Sequence, residues 1–332
     1  MKLKKYEKNP IISPNDSNEW EDLCVCNPGA WYEDGTFYLL YRASGNDEDH
    51  VIRFGLATSK DGFHFVRSSD KPVLSPSIDG PDAGCIEDPR IIKMDGTYYI
   101  TYAYRPYPPG RYWLKPGNEA EKPFNEYSYP IFIKENITNS GLLMTKDFIH
   151  YKRLGRITQA TIDDRDVILF PEKINGKYYM LHRPKEWCGS GYLTKFPSIW
   201  LSCSTDLLSW REDQLLITGE RWWEQKIGGA SPPVKTKKGW VMLYHGVDDK
   251  GIYRVGAALL NLNNPYEILG RTREFIMEPE FDYEMKGLYN GCVFPTGCVL
   301  VEDTLYVYYG AADKYCAVAT CRIDELVSGM IN

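Results

Sequence analysis

Long apolar runs are missing from this sequence, and with them any stretch of about 20 residues able to cross a membrane as a helix. The opening MKLKKYEKNPIISP lacks the apolar centre of a secretory signal, so a cytoplasmic location is expected. An excess of positive charge is missing too. With 39 Lys and Arg against 45 Asp and Glu the formal net charge is -6, which leaves no footprint for nucleic acid or an anionic membrane. Histidine is scarce at five, and no His-x-x-x-His or similar spacing argues for a catalytic metal. No metal and no cofactor are expected. Nine cysteines is an odd number without framework spacing, and Cys24-x-Cys26 has no partner pair elsewhere. Reduced thiols are therefore expected, with neither disulfides nor structural zinc.

Aromatic residues are plentiful, at 14% of the chain, and they recur in register. Five times a turn pair leads into an alternating aromatic and aliphatic run: Asp34-Gly35-TFYLLYR, Asp95-Gly96-TYYITYA, Asn175-Gly176-KYYMLHR, Lys238-Gly239-WVMLYH and Glu302-Asp303-TLYVYYG. Asn-Gly and Asp-Gly favour the positive φ of tight hairpins, and alternation suits a strand with one buried face. A weaker repeat follows each run, as in FGLATS from Phe54 and GLLMT from Gly141, and supplies further strands. The expected fold is all-β: a five-bladed β-propeller forming a single domain over 1–332. A β-sandwich would not need the same two-part signature five times. The Pro- and Gly-rich stretch around 105–139 interrupts blade 2 between its second and third strands. It reads as a binding loop, an oligomer contact or a surface flap.

Each blade places a proline shortly before its turn, at Pro28, Pro89, Pro171, Pro232 and Pro295, and the residues beside these prolines point to chemistry at the shared axis. Asn27, Asp88, Arg90 and Glu172 would crowd one axial funnel, joined by Arg42, Arg183 and His245 at the ends of the second strands and by Asp313. Such charges either pair and seal the axis or line a polar pocket. With Trp31, Tyr104, Trp222 and Trp223 nearby, a sugar pocket is expected, in which aromatic faces meet the ring and polar groups bond its hydroxyls. Paired carboxylates from different blades suit glycosidic cleavage. One donates a proton to the leaving oxygen, and one about 6.5 to 9.5 Å away activates water with inversion. Asp88 is the expected acid. Glu172 is the expected base, with Glu224 in reserve if Glu172 pairs with Lys226 or Arg183. Asp163, Asp164 and Asp166 reach the pocket rim or form a solvated loop around Arg165.

Several motifs in order then carry a resemblance: Asn9-Pro10-Ile11-Ile12, Glu87-Asp88-Pro89-Arg90, Leu169-Phe170-Pro171-Glu172-Lys173, LHRP at 181–184, Lys226-Ile227-Gly228, LYHGV at 243–247 and YGAAD at 309–313. Together, across essentially the whole chain, they resemble glycoside hydrolase family 130. The resemblance implies an inverting enzyme on β-mannosides, either a phosphorylase or a hydrolase of β-1,2 links. It implies Asp88 as general acid, acting through the 3-hydroxyl of bound mannose, with Asn27, Arg42 and Asp313 around that sugar. Arg183, Lys226 and His245 match the phosphate-binding cluster of the phosphorylases. Glu172 stands where some phosphorylases carry arginine, Glu224 lies two residues before Lys226, and Pro28-Gly29 departs from the usual small pair. Those departures, with GPDAGCIEDPRI from Gly80 and Tyr104-Arg105-Pro106, resemble the β-1,2-mannosidase branch. Hydrolysis is therefore the expected reaction. Phosphorolysis, with inorganic phosphate as co-substrate, is the alternative, and a non-catalytic carbohydrate-binding propeller is a third. The expected partner is a manno-oligosaccharide, bound by Asn27, Arg42, Arg90, Tyr104, Arg183, Lys226, His245 and Asp313; a homo-oligomer is compatible.

Overall fold

The computed structural model describes residues 1–122 and 129–331. Positions 123–128 of the expected insertion lie outside the described residues.

The turn pairs do what their residues dictate. Asp34 and Gly35 take φ 48° and 70°, Asp95 and Gly96 take 48° and 73°, and Asn175 and Gly176 take 50° and 79°. Positive φ at both central residues matches the twist of the flanking strands, so each pair closes a tight hairpin. Five antiparallel sheets result, four following chain order outward and the fifth taking its outermost strand from the start of the chain. Blade 1 runs through Cys24–Glu33, Thr36–Ser44, Arg53–Ser59 and Val66–Arg67, and blade 2 through Cys85–Met94, Thr97–Arg105, Asn139–Thr145 and Tyr151–Arg156. Blade 3 comprises Asp164–Leu169, Tyr178–Pro184, Ile199–Ser204 and Arg211–Ile217. Blade 4 is built on Lys226–Gly229, Gly239–Val247, Tyr253–Leu260 and Ile268–Arg271, with Val234–Thr236 also paired to its second strand. Blade 5 contains Val293–Val301, Thr304–Ala311 and Tyr315–Arg322, and its outermost strand is Lys4–Lys5 from the other end of the chain. That pairing ties the first strand to the last blade. Between the second and third strands of blade 2 the described residues include the short helical turns Tyr112–Leu114, Pro116–Asn118 and Ile131–Lys134. Apolar side chains fill the seams between blades; Leu40, Phe54, Ile86, Ile100, Tyr102 and Leu143 share one such cluster.

A polar device repeats with the sheets. In blades 1, 2, 4 and 5 a fully buried carboxylate in the loop before the innermost strand accepts the hydroxyl of a second-strand tyrosine and pairs with a cation on the outermost strand. Glu21 meets Tyr41 (3.0 Å) and Arg67 (2.9 Å), and Asp82 meets Tyr102 (3.2 Å) and Arg153 (2.6 Å). Glu224 meets Tyr244 (2.8 Å) and Arg271 (2.9 Å), and Glu284 meets Tyr309 (2.8 Å) and Lys5 (2.8 Å). Blade 3 exchanges the parts. His182 replaces the tyrosine, its Nδ1 lies 2.8 Å from Asp164, and Asp213 on the outermost strand reaches it through Ser202. Each clasp pins inner, middle and outer strands of one blade from a single buried charge.

Removing one partner of a buried, hydrogen-bonded pair strands the others, at a cost of about 3 to 5 kcal/mol. Glu224→Ala is accordingly expected to lower stability by roughly 3 kcal/mol or more, read as the shift of the chemical-denaturation midpoint; a shift below about 0.5 kcal/mol, the range of neutral surface changes, would contradict the clasp.

Candidate active site

The innermost strands carry a second repeated irregularity, and it aims the site. Pairing slips between Cys26 and Gly29 in blade 1, between Glu87 and Arg90 in blade 2, and between Arg165 and Ile168 in blade 3. At each slip one polar residue adopts a left-handed backbone: Asn27 (φ 48°), Asp88 (φ 52°) and Asp166 (φ 55°). Bulges of this kind re-aim a side chain out of the ladder. Asn, Asp and Gly tolerate that conformation best, which explains the residue types. All three side chains line one axial cavity of about 390 Å³. Around it lie Arg42, Glu87, Arg105, Asp163, Arg165, Arg183, Lys226, His245, Tyr253, Tyr289 and Asp313, with Pro109, Tyr112 and Asn118 contributed by the insertion.

On one side Arg42 gathers the acids. Its NH1 lies 3.0 Å from Asp88 Oδ1 and 2.7 Å from Glu87 Oε2, and its NH2 lies 3.3 Å from Asp313 Oδ2. Its Nε donates to Cys26 Sγ at 3.1 Å, fixing the fork from behind. Asn27 Nδ2 donates to the same Asp88 oxygen at 2.8 Å, leaving Oδ2 without a donor among the described residues. The amide of Asn27 sits so close to Gly310 that a Cβ there would overlap its Oδ1, so that glycine is required by approach. Burial pushes the Asp313 carboxyl up, against the pull of Arg42. Burial also opposes charge on Glu87, yet Arg42 and Arg105 win and hold it below the usual carboxylate range.

On the other side the cations gather. Asp166 Oδ2 accepts from Arg183 Nε at 2.9 Å and lies 3.8 Å from His245 Nε2. Arg165 holds Asp163 through two bonds of 2.6 Å. Burial, and then Arg183, bring the Lys226 ammonium down to about 8. Its Nζ donates to Tyr253 Oη at 2.7 Å and has no carboxylate within ion-pairing distance among the described residues. Burial, reinforced by Arg183 and Lys226, lowers His245 to about 3, so its imidazole is neutral at pH 7. Its Nδ1 is buried without a partner among the described residues. Arg183, Arg165 and Lys226 supply the charge.

Four expected site residues lie elsewhere. Glu172 is exposed near the turn between the first two strands of blade 3 and pairs with Lys235. Pro171 does not mark the axis as Pro28 and Pro89 do; the counterpart of Asn27 and Asp88 is Asp166. Counting back from the turn glycine reveals it: the axial residue precedes Gly35 and Gly96 by eight positions, at 27 and 88, and Gly176 by ten, at 166. Glu224 is the buried clasp of blade 4, its carboxylate also accepting the Glu220 and Arg221 amides at 3.0 and 3.2 Å, and it does not line the cavity. Tyr104 packs in the seam between blades 1 and 2. Arg90 is buried behind the cavity wall, where its Nε donates to Ala230 O (3.1 Å), its NH1 to Asp88 O (2.9 Å) and its NH2 to Asp166 Oδ1 (3.3 Å). It ties Asp88, Asp166 and Ala230 together from three blades and does not line the cavity. Of the expected sugar platforms, Trp31 and Trp223 belong to the core and Trp222 faces solvent outside the cavity.

The glycoside hydrolase family 130 model, described as beta-1,4-mannooligosaccharide phosphorylase, matches residues 2–115 and 132–331. The chain belongs to family 130. It is 35% identical to the 1,2-beta-oligomannan phosphorylase of Thermoanaerobacter sp. (strain X514) and 36% identical to the beta-1,2-mannobiose phosphorylase of the same strain, over 98% of this chain and 99% of each relative. Among solved structures, the beta-1,2-mannobiose phosphorylase of Listeria innocua in complex with beta-1,2-mannobiose superposes with a TM-score of 0.80 at 28% identity, covering 99% of both chains.

The residues that the family-130 motifs singled out, Asn27, Arg42, Asp88, Arg183, Lys226, His245 and Asp313, converge on the cavity. Glu87, Arg105, Asp163, Arg165 and Asp166 join them there. The run DDRDV carried this signal, since mixed charges at the head of an otherwise apolar strand are costly unless they face one another or a ligand. Because Glu172 is a solvent-exposed surface partner, Glu172→Ala is expected to change stability by less than about 0.5 kcal/mol and to leave turnover of a mannoside within about twofold; a tenfold loss in a kinetic assay would return it to the site.

Proposed function

We propose that this chain is an inverting phosphorylase of β-1,2-linked manno-oligosaccharides, releasing α-mannose 1-phosphate. The observation that carries this reading is Lys226: a half-buried ammonium beside Arg183 and Arg165, its proton affinity lowered by desolvation and by those neighbours, with no carboxylate of its own among the described residues. A dianion placed there meets fixed, charge-assisted donors and relieves the mutual repulsion of the cations. The expected hydrolysis is set aside. Of its two candidate bases, Glu172 faces solvent and Glu224 is consumed in a structural clasp. The carboxylates that do reach the anion side are poor bases. Asp163 is held at about 2, as Arg165 outweighs its burial, and Asp166 falls well below the usual range because Arg183, His245 and Arg90 outweigh its own. The similarity to phosphorylases over nearly the whole chain supports the same direction.

In this mechanism mannose occupies the Asn27, Arg42, Asp88 and Asp313 side, and phosphate the Arg183, Arg165 and Lys226 side. The C1–O glycosidic bond breaks as a phosphate oxygen forms the new C1–O bond from the opposite face, inverting the anomeric centre. The leaving oxygen takes a proton that originates on Asp88 and passes through the mannose 3-hydroxyl. Arg42 and Asn27 hold the second Asp88 oxygen still throughout.

Incubation with β-1,2-mannobiose is expected to yield mannose and α-mannose 1-phosphate only when inorganic phosphate is present, read by chromatography and phosphorus NMR. Asp88→Asn is expected to reduce turnover by about 10²- to 10⁴-fold, the usual contribution of a positioned acid. Release of free mannose alone, at a rate indifferent to phosphate, would restore the hydrolase reading.

A further inference from the structure

Trp222 is the conspicuous residue that neither the core nor the axial cavity uses. Its neighbour Trp223 is fully buried and stacked on Tyr244, with centroids 5.9 Å apart at 11°, whereas Trp222 is 61% exposed. An indole left in water forgoes the stabilisation its burial would bring. The ring is nonetheless held in place. The Arg254 guanidinium lies 4.6 Å from its centroid, and Phe275 meets it edge-on at 6.4 Å. Arg254 is itself fixed by Asp248 (2.7 Å) and Glu278 (3.1 Å). Beside this preset platform runs a groove of about 500 Å³, whose wall includes Gln225, Asp249 and Lys250. The side chains of those three make no hydrogen bond or ion pair with the described residues.

The groove and the axial cavity share one wall, a single residue thick. Gln225 precedes Lys226 and Ile252 precedes Tyr253, the first of each pair facing the groove and the second the cavity. Tyr289, which lines the cavity, donates its hydroxyl to Gly251 O at 3.0 Å in the turn that forms the groove's edge. We propose that this groove is an outer sugar subsite, in which Trp222 stacks on a mannosyl residue of a substrate longer than a disaccharide while Gln225, Asp249 and Lys250 bond its hydroxyls. The inference rests on the mannoside reading above. A fixed aromatic face with unpartnered polar groups around it is carbohydrate-recognition chemistry. A second copy of the chain fits less well, because Trp222 and Ile252 are the only apolar side chains lining the groove among the described residues, and a stable interface needs a larger apolar centre.

The test compares Trp222→Ala and Trp222→Phe with the parent on β-1,2-mannobiose and β-1,2-mannotetraose at saturating phosphate, with molar mass measured by light scattering. For Trp222→Ala, kcat/KM on the tetraose is expected to fall about tenfold, mainly through KM, while the biose value stays within twofold; Trp222→Phe should recover part of the loss. Titration calorimetry with mannotetraose reads the groove without turnover, and weaker binding by Trp222→Ala supports it even if no phosphorolysis is seen. Equal losses on both substrates, unchanged tetraose affinity, or a change of molar mass in Trp222→Ala would each overturn the subsite.

Discussion

The axial cavity depends on one constraint: acidic and basic side chains driven to the same axis must satisfy each other before they can do anything else. Five inner strands converge there, and bulges at Asn27, Asp88 and Asp166 turn polar groups inward where a regular ladder would have placed them along the sheet face. Carboxylates brought together in a low-dielectric channel would repel and protonate. Guanidinium groups oppose this, and two of them span more than one acid or more than one blade. Arg42 serves Glu87, Asp88 and Asp313, and Arg90 joins the backbone of Asp88 to Asp166 and to blade 4. Rigid elements hold both halves of the site, which is what an in-line displacement requires of its surroundings.

The pairing is incomplete in one direction, and the proposed function rests on that incompleteness. Every carboxylate of the cavity has a cation within reach, but Lys226 has no acid among the described residues. The Glu224 carboxylate of blade 4 shows the contrast: it accepts from two backbone amides, Tyr244, Arg221 and Arg271. On the reading proposed here, the cationic side of the cavity is left open for an anion.

Much of this was legible in the chain. The Asp-Gly and Asn-Gly pairs carried the hairpins of blades 1 to 3, because positive φ at both positions has few other uses, and the repeated aromatic run after each turn extended the count to five. The second-strand endings at Arg42, Arg183 and His245 carried half of the cavity. In blade 3 proline does not mark the axis as it does in blades 1 and 2: the marker is the left-handed Asp or Asn, and Asp166 is followed by valine, which leaves Pro171 and Glu172 near the turn. Glu224 misled because a carboxylate two residues before a cavity lysine looks axial, while its loop sends it outward to a tyrosine and an arginine nearly fifty positions away. The repeated Tyr of LYR, TYA, LYH and YYG, with a third-strand glycine opposite Tyr41, Tyr102 and Tyr244, was visible and went unread as a clasp signature. Tyr104 illustrates the general limit: on a strand end, a tyrosine facing a seam and one facing the axis have the same letter.

Direct titration of the unmodified protein with inorganic phosphate near pH 8, in buffers of differing ionisation enthalpy, tests the central claim that the cationic side of the cavity is an anion site completed by Lys226. With that ammonium at about 8 in the free protein, a bound dianion favours its charged form, so binding should take up a fraction of a proton at this pH. In Lys226→Met binding should weaken by about an order of magnitude or more and lose the proton uptake. Phosphate that fails to bind, or binds equally well to Lys226→Met with the same proton uptake, would contradict the account.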